Sequence, residues 1–237
     1  MTAADIRAIL EASGSADAAL FALRFFKTGP GQYGEGDRFR GIRVPVLRKL
    51  ATSLDGVPMQ ELLLLLASEF HEDRLLALLM MMRRYARGDE QVRAEIYRIY
   101  LAHTRYINNW DLVDVTAEHI IGRHLRHRER TPLYTFVVSE SLWERRIAIV
   151  STFHFIRNSE FDDTLLLAGM LICDSEELIH KATGWMLREV GKRDSGALEA
   201  FLLKHCCAMP RVMLRYAIER FPEEQRQYYL KLPTERK

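Results

Sequence analysis

The 237-residue sequence has little of what marks secreted or membrane-spanning proteins. Its three cysteines are few and odd in number, and Cys206 and Cys207 are adjacent, which favours reduced thiols over a disulfide framework. The longest strictly apolar runs, residues 62–67 and 75–82, are far too short to span a bilayer. The N-terminus MTAADIRAIL lacks the basic-then-apolar layout of a signal peptide. We therefore expect a cytoplasmic protein with no membrane partner.

Signals for β-strands are also nearly absent, because the chain has no Asn-Gly hairpin turn and no run of alternating Val, Thr and Tyr. Helical periodicity takes their place, with apolar residues at three- and four-residue spacing. The clearest segments are RLLALLMMMRRYA, DLVDVTAEHIIGRHL, RRIAIVSTFHFI, LIHKATGWMLREV and RVMLRYAIERF. The breaks between helices are short, and no Ser/Gly-rich linker divides the chain. The sequence therefore predicts an all-α protein in which residues 1–237 form a single domain.

An internal repeat has a period of 34 to 36 residues. The residues that define it, here termed the anchor residues, are Arg74, Trp110, Arg146, Lys181 and Arg215. An apolar helix follows each anchor residue, and each interval leaves room for one more helix and two turns. Such a period indicates a HEAT-like or armadillo-type α-solenoid of stacked antiparallel helix pairs, with the anchor residues on a concave basic face. An irregular bundle with helices of similar length is the alternative.

The stretch INNWDLVDVTAEHIIG, residues 107–122, combines a tryptophan and two carboxylates at the start of a predicted amphipathic helix. Asp111 suits a helix start, where free backbone N–H groups and the helix dipole favour an acidic residue, and we assign it that role. Asp114 has no such explanation. An ordinary acid on a helix surface is the alternative for Asp114.

Two anchor residues have a notable partner four positions further on, on the same helix face. Asp114 follows Trp110, and Trp185 follows Lys181, while Arg146 lies on the intervening helix. Two tryptophans, a carboxylate and two cations in register are not typical of a core. The pattern predicts a functional surface, with plain packing between helices as the alternative for the tryptophans.

The charge of the chain is unevenly distributed, although its net value is only +2. Residues 22–50 contain seven basic and two acidic residues, and residues 181–193 contain four basic residues and one acidic residue. Basic patches on a near-neutral chain fit an electrostatic footprint for nucleic acid on one face. A solvated surface rich in lysine and arginine is the alternative.

Other motifs are weaker. The segment GPGQYG, residues 29–34, formally matches G-x-G-x-x-G, but it follows a helical segment rather than a strand and contains Pro30. We interpret it as a flexible loop before the next helix. The eight histidines show neither H-E-x-x-H nor Cys/His ligand spacing, and G-x-S-x-G is absent. We expect no metal and no cofactor.

Several blocks together resemble the bacterial DNA alkylation repair family, the AlkD-like HEAT-repeat DNA glycosylases. They are GDRFRGIRVPVLRKLA, NNWDLVD, ERRIAIVSTFHFIR, LIHKATGWMLREVGKRD and MPRVMLRYAIERF, and their order and spacing cover nearly the whole chain. The resemblance implies an enzyme that removes cationic N3- and N7-alkylated purines from duplex DNA. It also implies that no metal or nucleotide cofactor takes part.

The resemblance assigns roles to individual residues. Asp114 matches the catalytic carboxylate of the W-D-x-x-D block, and Trp110 matches the tryptophan of that block. Trp185 matches a second tryptophan, in G-W-x-L-R-E, and the two indoles are expected to cradle the deoxyribose of the damaged nucleotide. Arg146 matches an arginine that grips the DNA backbone near the lesion. Arg188 matches a further basic residue on that surface.

Two positions depart from the best-known member of the family. Asn109 stands where that member has a second tryptophan, and Arg43 stands where it has a glutamine that reaches the minor groove. We predict that Arg43 binds DNA, together with the anchor residue Lys181. The Arg43 departure bears on which substrates the protein prefers.

The chemistry of glycosidic bond cleavage fits these residue types. The reaction passes through an oxocarbenium-like sugar, which a carboxylate stabilises and indole faces favour. Basic side chains neutralise phosphates without reading sequence. The expected partner is double-stranded DNA that contains alkylated bases, bound by a monomer. A non-catalytic HEAT-repeat scaffold that binds the DNA backbone or a protein is the alternative function.

Overall fold

The computed structural model describes residues 1–233. These residues form helices joined by short loops, with no β-strand beyond an isolated bridge between Arg38 and Phe70, so the predicted all-α class is confirmed. No helix among them is long and apolar enough to cross a membrane. The chain divides into two compact units, Met1–Thr116 and a second unit that begins at Ala117. The single-domain interpretation stays a prediction.

The first unit is built around its longest helix. Its helices are α1 (Ala3–Ala12), α2 (Ala16–Phe25), α3 (Val44–Ser53), α4 (Met59–Leu66), α5 (His71–Arg87), α6 (Glu90–Ala102) and α7 (Trp110–Asp114). Side chains define several helix starts: Thr2 and Asp5 form a capping box on α1, and Asp89 caps α6. α5 packs against α3, α4 and α6, and its residues 75–81 are all buried. Because this apolar run is buried, the residues that begin α5 also lie inside the first unit.

The second unit is built around another long helix. A short π-helical turn (Glu118–Gly122) precedes α8 (Arg123–Leu125), α9 (Thr131–Phe136), α10 (Leu142–Ser151), α11 (Phe153–Ile156), α12 (Asp162–Met170), α13 (Glu177–Gly191), α14 (Ser195–His205), α15 (Arg211–Ala217) and α16 (Glu223–Lys231). α13 packs against α10, α12, α14 and α15. A Cβ atom at Gly184 would lie 2.5 Å from the Met213 carbonyl oxygen, so α13 and α15 approach each other at backbone distance there.

Helix pairs occur where the repeat predicts them. They are α4/α5 and α6/α7 in the first unit, and α9/α10, α12/α13 and α14/α15 in the second. Each anchor residue lies on the second helix of its pair. The surface position expected for Arg74 is wrong, because this residue is only 4% exposed and its guanidinium donates to Asp37.

The helix predicted across residues 107–122 is interrupted. α7 ends at Asp114, and helical structure resumes only at the π-helical turn. The Thr116 hydroxyl donates to the Leu112 carbonyl oxygen at 2.6 Å. A threonine that bonds the carbonyl four residues back competes with the backbone ladder and bends or ends a helix. The break after Asp114 follows from this contact.

The GPGQYG segment is a loop between α2 and α3, as predicted. Gly31 has φ +72°, in the left-handed region that favours glycine. A helix rather than a strand precedes the segment, so the glycines do not form a dinucleotide-binding turn.

Candidate active site

Helix α7 belongs to the first unit and carries Trp110 and Asp114, which the sequence predicts as site residues. Trp110 is its first residue and Asp114 its last, one helical turn apart. The buried Asn109 caps the helix, since its side-chain oxygen accepts a hydrogen bond from the Trp110 N–H at 2.8 Å. Asn109 therefore defines where α7 begins.

The Trp110 indole lies in an aromatic cluster. It stacks on Phe26, with 5.5 Å between ring centroids, and meets Phe25 edge-on at 5.9 Å. Phe26 stacks in turn on Phe39 at 5.0 Å. Trp110 remains half-buried, so part of its surface is available to a ligand. Packing and ligand contact are thus compatible for this residue, and its predicted role at the sugar stays a prediction.

Asp114 is half-buried at the end of α7. Asp114 affects the pKa of a buried neighbour. Burial raises the pKa of the Tyr100 hydroxyl, and the nearby Asp114 carboxylate raises it further. Tyr100 is fully buried, and its hydroxyl lies 2.9 Å from Thr116 Oγ1. Asp114 therefore acts electrostatically on a group inside the first unit.

A buried histidine of α5, His71, contacts the first turn of α7. The sequence did not predict this contact. His71 Nε2 lies 2.8 Å from Asp111 Oδ2, and its Nδ1 lies 3.0 Å from Asp37 Oδ2. Burial lowers the pKa of His71, but the hydrogen bonds and charges of Asp111 and Asp37 outweigh it and raise the pKa to about 9. His71 is therefore an imidazolium held between two carboxylates at neutral pH.

The partners of His71 complete a neutral buried cluster. Arg74 donates to the other oxygen of Asp37, and Asn109 donates to Asp37 at 3.4 Å. Burial raises the pKa of Asp37, but the hydrogen bond from His71 and the charge of Arg74 outweigh it, so the pKa lies below its ordinary value. Two cations and two carboxylates balance, which is the condition for stable burial of charge.

The assignment of Asp111 to the helix start is therefore incomplete. Asp111 does lie in the first turn of α7, and its Oδ1 accepts from the Leu112 N–H at 2.8 Å. Its other oxygen, however, binds His71 of α5. The signal that could have found this contact is HEDR, residues 71–74, four polar residues that open an otherwise apolar helix.

A buried carboxylate, that of Glu72, holds the backbone of the loop before α3. Glu72 accepts hydrogen bonds from the backbone N–H groups of Arg40, Gly41 and Ile42, at 2.9, 2.8 and 3.1 Å. Gly41 has φ +75°, and a Cβ there would lie 2.2 Å from the Ser15 carbonyl oxygen. These contacts set the position of Arg43, the N-cap residue of α3, whose side chain is exposed.

In the second unit, α13 carries three of the predicted site residues. Lys181 Nζ lies 2.6 Å from Glu177 Oε1, and the Lys181 side chain is 38% exposed. Trp185 is half-buried and meets Phe153 edge-on at 5.7 Å. The helix therefore presents a cation and an indole on one face, at the predicted four-residue spacing.

Arg188 lies one turn further along α13. It donates to Glu219 of the segment that follows α15, and its Nε lies 3.8 Å from Glu189 Oε1. Burial raises the pKa of Glu189, but hydrogen bonds from Lys192 and Arg193 outweigh it, and the pKa lies below its ordinary value. The end of α13 is thus rich in cations around a single buried carboxylate.

Arg146 lies on α10 and is only 5% exposed. Its Nη1 donates to the Leu178 carbonyl oxygen of α13 at 2.6 Å. This contact joins the second helices of two successive pairs. The role of Arg146 at the DNA backbone stays a prediction.

A basic cluster that the sequence did not single out surrounds His154 on α11. Burial lowers the pKa of His154 to about 4, helped by the charges of Arg126, Arg123 and His119. Nearby, the Arg157 guanidinium lies 4.5 Å from the centre of the Phe153 ring. Neighbouring cations that lower the pKa of a histidine indicate a locally positive potential.

Five of the seven predicted residues therefore form two groups, while Arg43 precedes α3 and Arg146 lies on α10. Trp110 and Asp114 share α7 in the first unit, while Lys181, Trp185 and Arg188 share α13 in the second. Among residues 1–233, no group of three or more His, Cys, Asp or Glu side chains could hold a metal ion.

The salt dependence of DNA binding tests the cations of α13. Lys181→Ala and Arg188→Ala should each weaken binding about equally across DNA sequences. Each should also reduce the slope of log affinity against log salt by about one unit, because one phosphate contact is lost. Lys204→Ala, which removes an exposed cation of α14, is the control and should leave the slope unchanged. Unchanged slopes in the Lys181 and Arg188 variants would place both residues off the DNA path.

Two solved structures share the fold of this chain. A solved structure described as a predicted DNA alkylation repair enzyme from Enterococcus faecalis is 17% identical, with a TM-score of 0.67, and the match covers 89% of this chain and 98% of that chain. AlkD2 from Streptococcus mutans is also 17% identical, with a TM-score of 0.55, and covers 94% of this chain and 100% of that chain. The predicted HEAT-like helical solenoid is the fold of these AlkD-type proteins.

None of the curated proteins compared with the chain matches it. The family model described as "DNA alkylation repair enzyme" matches residues 6–221. Because this match extends over nearly the whole sequence, the chain belongs to the DNA alkylation repair enzyme family.

Proposed function

We propose that this protein is a DNA glycosylase that hydrolyses the N-glycosidic bond of cationic N3- and N7-alkylated purines in duplex DNA. The proposal is supported above all by Trp110 and Asp114, an indole and a carboxylate one turn apart on α7, both half-buried. Membership of the alkylation repair family agrees with it. The protein acts as a monomer on double-stranded DNA.

Asp114 is the catalytic carboxylate in this mechanism. As the bond between the sugar and the base breaks, positive charge develops on the sugar ring. The Asp114 carboxylate stabilises that charge and orients the water that attacks the sugar carbon. Indole faces favour a cationic sugar by roughly 0.5–2 kcal/mol each, and this is the proposed contribution of Trp110 and Trp185.

Basic side chains hold the DNA without reading its sequence. Arg43, Lys181 and Arg188 contact phosphates, and Arg146 grips the backbone near the lesion. The exposed fraction of Lys181 and the exposed side chain of Arg43 agree with this role. Phosphate contacts set the register of the duplex, and recognition of the lesion comes from its chemistry.

The leaving group decides which lesions are released. The His71 imidazolium binds a carboxylate through each ring nitrogen, and its side chain is only 3% exposed, so it is not positioned to protonate a departing base. A mechanism without a general acid requires a base that already leaves easily. N3-methyladenine and N7-methylguanine carry a positive charge in DNA and depart as neutral molecules.

Base release from matched duplexes tests the proposed reaction. Oligonucleotides that contain N7-methylguanine, uracil or 1,N6-ethenoadenine should differ sharply, with release of methylguanine and negligible release of the two neutral lesions. Adduct size should matter less than adduct charge, because catalysis acts through the sugar. Efficient release of uracil or ethenoadenine would contradict the mechanism, because these bases need an acid.

The same assay addresses the competing function, a non-catalytic scaffold. A scaffold would bind the methylated duplex and release no base from it. A binding measurement on each duplex, made beside the release assay, therefore separates a protein that binds without catalysis from one that fails to bind.

A further inference from the structure

His71 is linked to the first turn of α7 through each of its ring nitrogens. Its Nε2 lies 2.8 Å from Oδ2 of Asp111, the residue that follows Trp110. Its Nδ1 lies 3.0 Å from Oδ2 of Asp37, and the same oxygen accepts a hydrogen bond from the Asn109 side chain at 3.4 Å. Asn109 caps α7 and precedes Trp110. The two ring nitrogens are therefore connected to the residues on either side of Trp110.

The face of the His71 ring provides a third link to α7. The ring stacks on Phe39, with 4.8 Å between centroids, and its centroid lies 5.0 Å from that of Phe26. Phe26 stacks in turn on the Trp110 indole at 5.5 Å. Close-packed side chains transmit displacements to their neighbours, because few voids separate them. The position of the Trp110 indole therefore depends on the ring of His71 as well as on its nitrogens.

The same links constrain Asp114. Asp114 ends α7, three residues after Asp111, and residues at this spacing are neighbours on one helix face. Both oxygens of Asp111 are held, one by His71 and the other by the Leu112 N–H group. A rotation of this helical turn would break the hydrogen bond between His71 and Asp111 and would also move the Asp114 carboxylate. The orientation of Asp114 therefore depends on His71.

We propose that His71 is a positioning residue, which holds α7 so that the Trp110 indole and the Asp114 carboxylate face the sugar of the damaged nucleotide. The inference rests on the proposed function, in which these two side chains act on that sugar. The His71 side chain is only 3% exposed, so it contacts neither the DNA nor the reacting atoms. Its contribution is geometric, since a displacement of about 1 Å in an active site lowers a rate by about a hundredfold.

A pair of substitutions separates positioning from stabilisation of the fold. His71→Leu alone leaves buried carboxylates without their shared cation, so a loss of stability accompanies any loss of activity. His71→Leu combined with Asp111→Asn removes one positive and one negative charge. Asparagine also keeps a side-chain oxygen for the Leu112 N–H group. This double variant should therefore be more stable than His71→Leu while still lacking the hydrogen bond between α5 and α7.

Single-turnover release of N7-methylguanine from duplex DNA, at saturating protein, is the first measurement. The double variant should release the base at least about tenfold more slowly than the unaltered protein, because the reacting groups are misplaced. Its affinity for the duplex should change little, and circular dichroism and urea unfolding should show that it is folded. His127→Leu combined with Asp55→Asn makes the same replacements at exposed positions and should keep the full rate. A double variant of His71 and Asp111 that regains the full rate together with stability would overturn the proposal.

The indole N–H signal of Trp110 tests the contact in the absence of DNA. Trp110→Phe identifies this signal among those of the three tryptophans in an NMR spectrum. The signal should shift as the pH rises through about 9, because His71 then loses the charge that binds it to both carboxylates. The charged groups around His71 are Asp111 from α7, Glu72 and Arg74 from α5, and Asp37 and Arg43 from the segment before α3. An indole signal that does not move, or that moves equally in the double variant, would contradict the positioning role.

The two measurements keep this inference distinct from the proposed reaction. If the unaltered protein releases no base, the proposed reaction fails, and the indole titration still reports whether His71 positions α7. If the unaltered protein releases the base and the double variant keeps the full rate, only the positioning role fails.

Discussion

Replacing Asp114 with asparagine should lower the rate of base release from methylated duplex DNA by at least about a hundredfold, or about 2.7 kcal/mol. Asparagine keeps the shape of the side chain and removes the charge that stabilises the sugar cation. DNA binding should persist, because the phosphate contacts are made by other residues. Single-turnover release of N7-methylguanine, measured with the affinity for the same duplex, separates the two effects.

Asp55→Asn is the matched control. Asp55 is an exposed aspartate of the first unit, paired at its surface with Arg87, so the substitution makes the same change in charge. Its release rate should stay near that of the unaltered protein. Near-normal turnover in Asp114→Asn would remove Asp114 from the mechanism, and equal losses in both variants would point to a general effect of charge.

Loss of His71 should have the largest effect on stability. His71→Ala leaves Asp37 and Asp111 buried without their shared cation, and breaking a buried ion pair in this way costs about 3–5 kcal/mol. Urea unfolding at neutral pH measures the difference. His127→Ala deletes an exposed histidine and should change the free energy of unfolding by less than about 0.5 kcal/mol. A small effect of His71→Ala would mean that the buried cluster does not stabilise the fold.

The same cluster makes stability depend on pH. The pKa of His71 is raised from 6.5 to about 9, so its stabilising contribution is complete below pH 6.5 and is lost as the pH rises through about 9. The groups that face His71 are Asp37 and Asp111, with Arg74 behind Asp37. The difference in unfolding free energy between the protein and His71→Gln should therefore shrink from pH 6.5 to pH 9.5. A constant difference would contradict the assigned ion pairs.

Periodicity was sufficient to predict the helix pairs. The anchor residues differ in chemistry, yet each lies on the second helix of its pair, because burial of an apolar face every 3.6 residues determines where a helix forms. The same argument could not tell a surface cation from a buried one. Arg74 and Arg146 have the same position in the repeat as Lys181, but both are buried, and only tertiary contacts decide this.

The contacts of the candidate site were harder to predict for the same reason. Asp111 looked like an ordinary first-turn acid, because the sequence does not reveal that His71, 40 residues earlier, lies 2.8 Å away. Thr116 looked like a helix residue, because its bond to Leu112 depends on local geometry rather than on pattern. Trp110 and Asp114 were found by their spacing on one helix face and by resemblance to a family.

The shortness of α7 has a consequence for protein engineering. An isolated helix needs about 12–15 residues to hold together in water, and α7 has five. Contacts with residues outside the helix hold α7 in its conformation. They are the Asn109 cap, the hydrogen bond between His71 and Asp111, and the aromatic rings around Trp110. Transplanting the WDLVD segment into another helical scaffold would therefore carry over the residues without their positions. A graft that keeps Trp110 and Asp114 aligned must also include α5, α2 and the loop before α3, which amounts to most of the first unit.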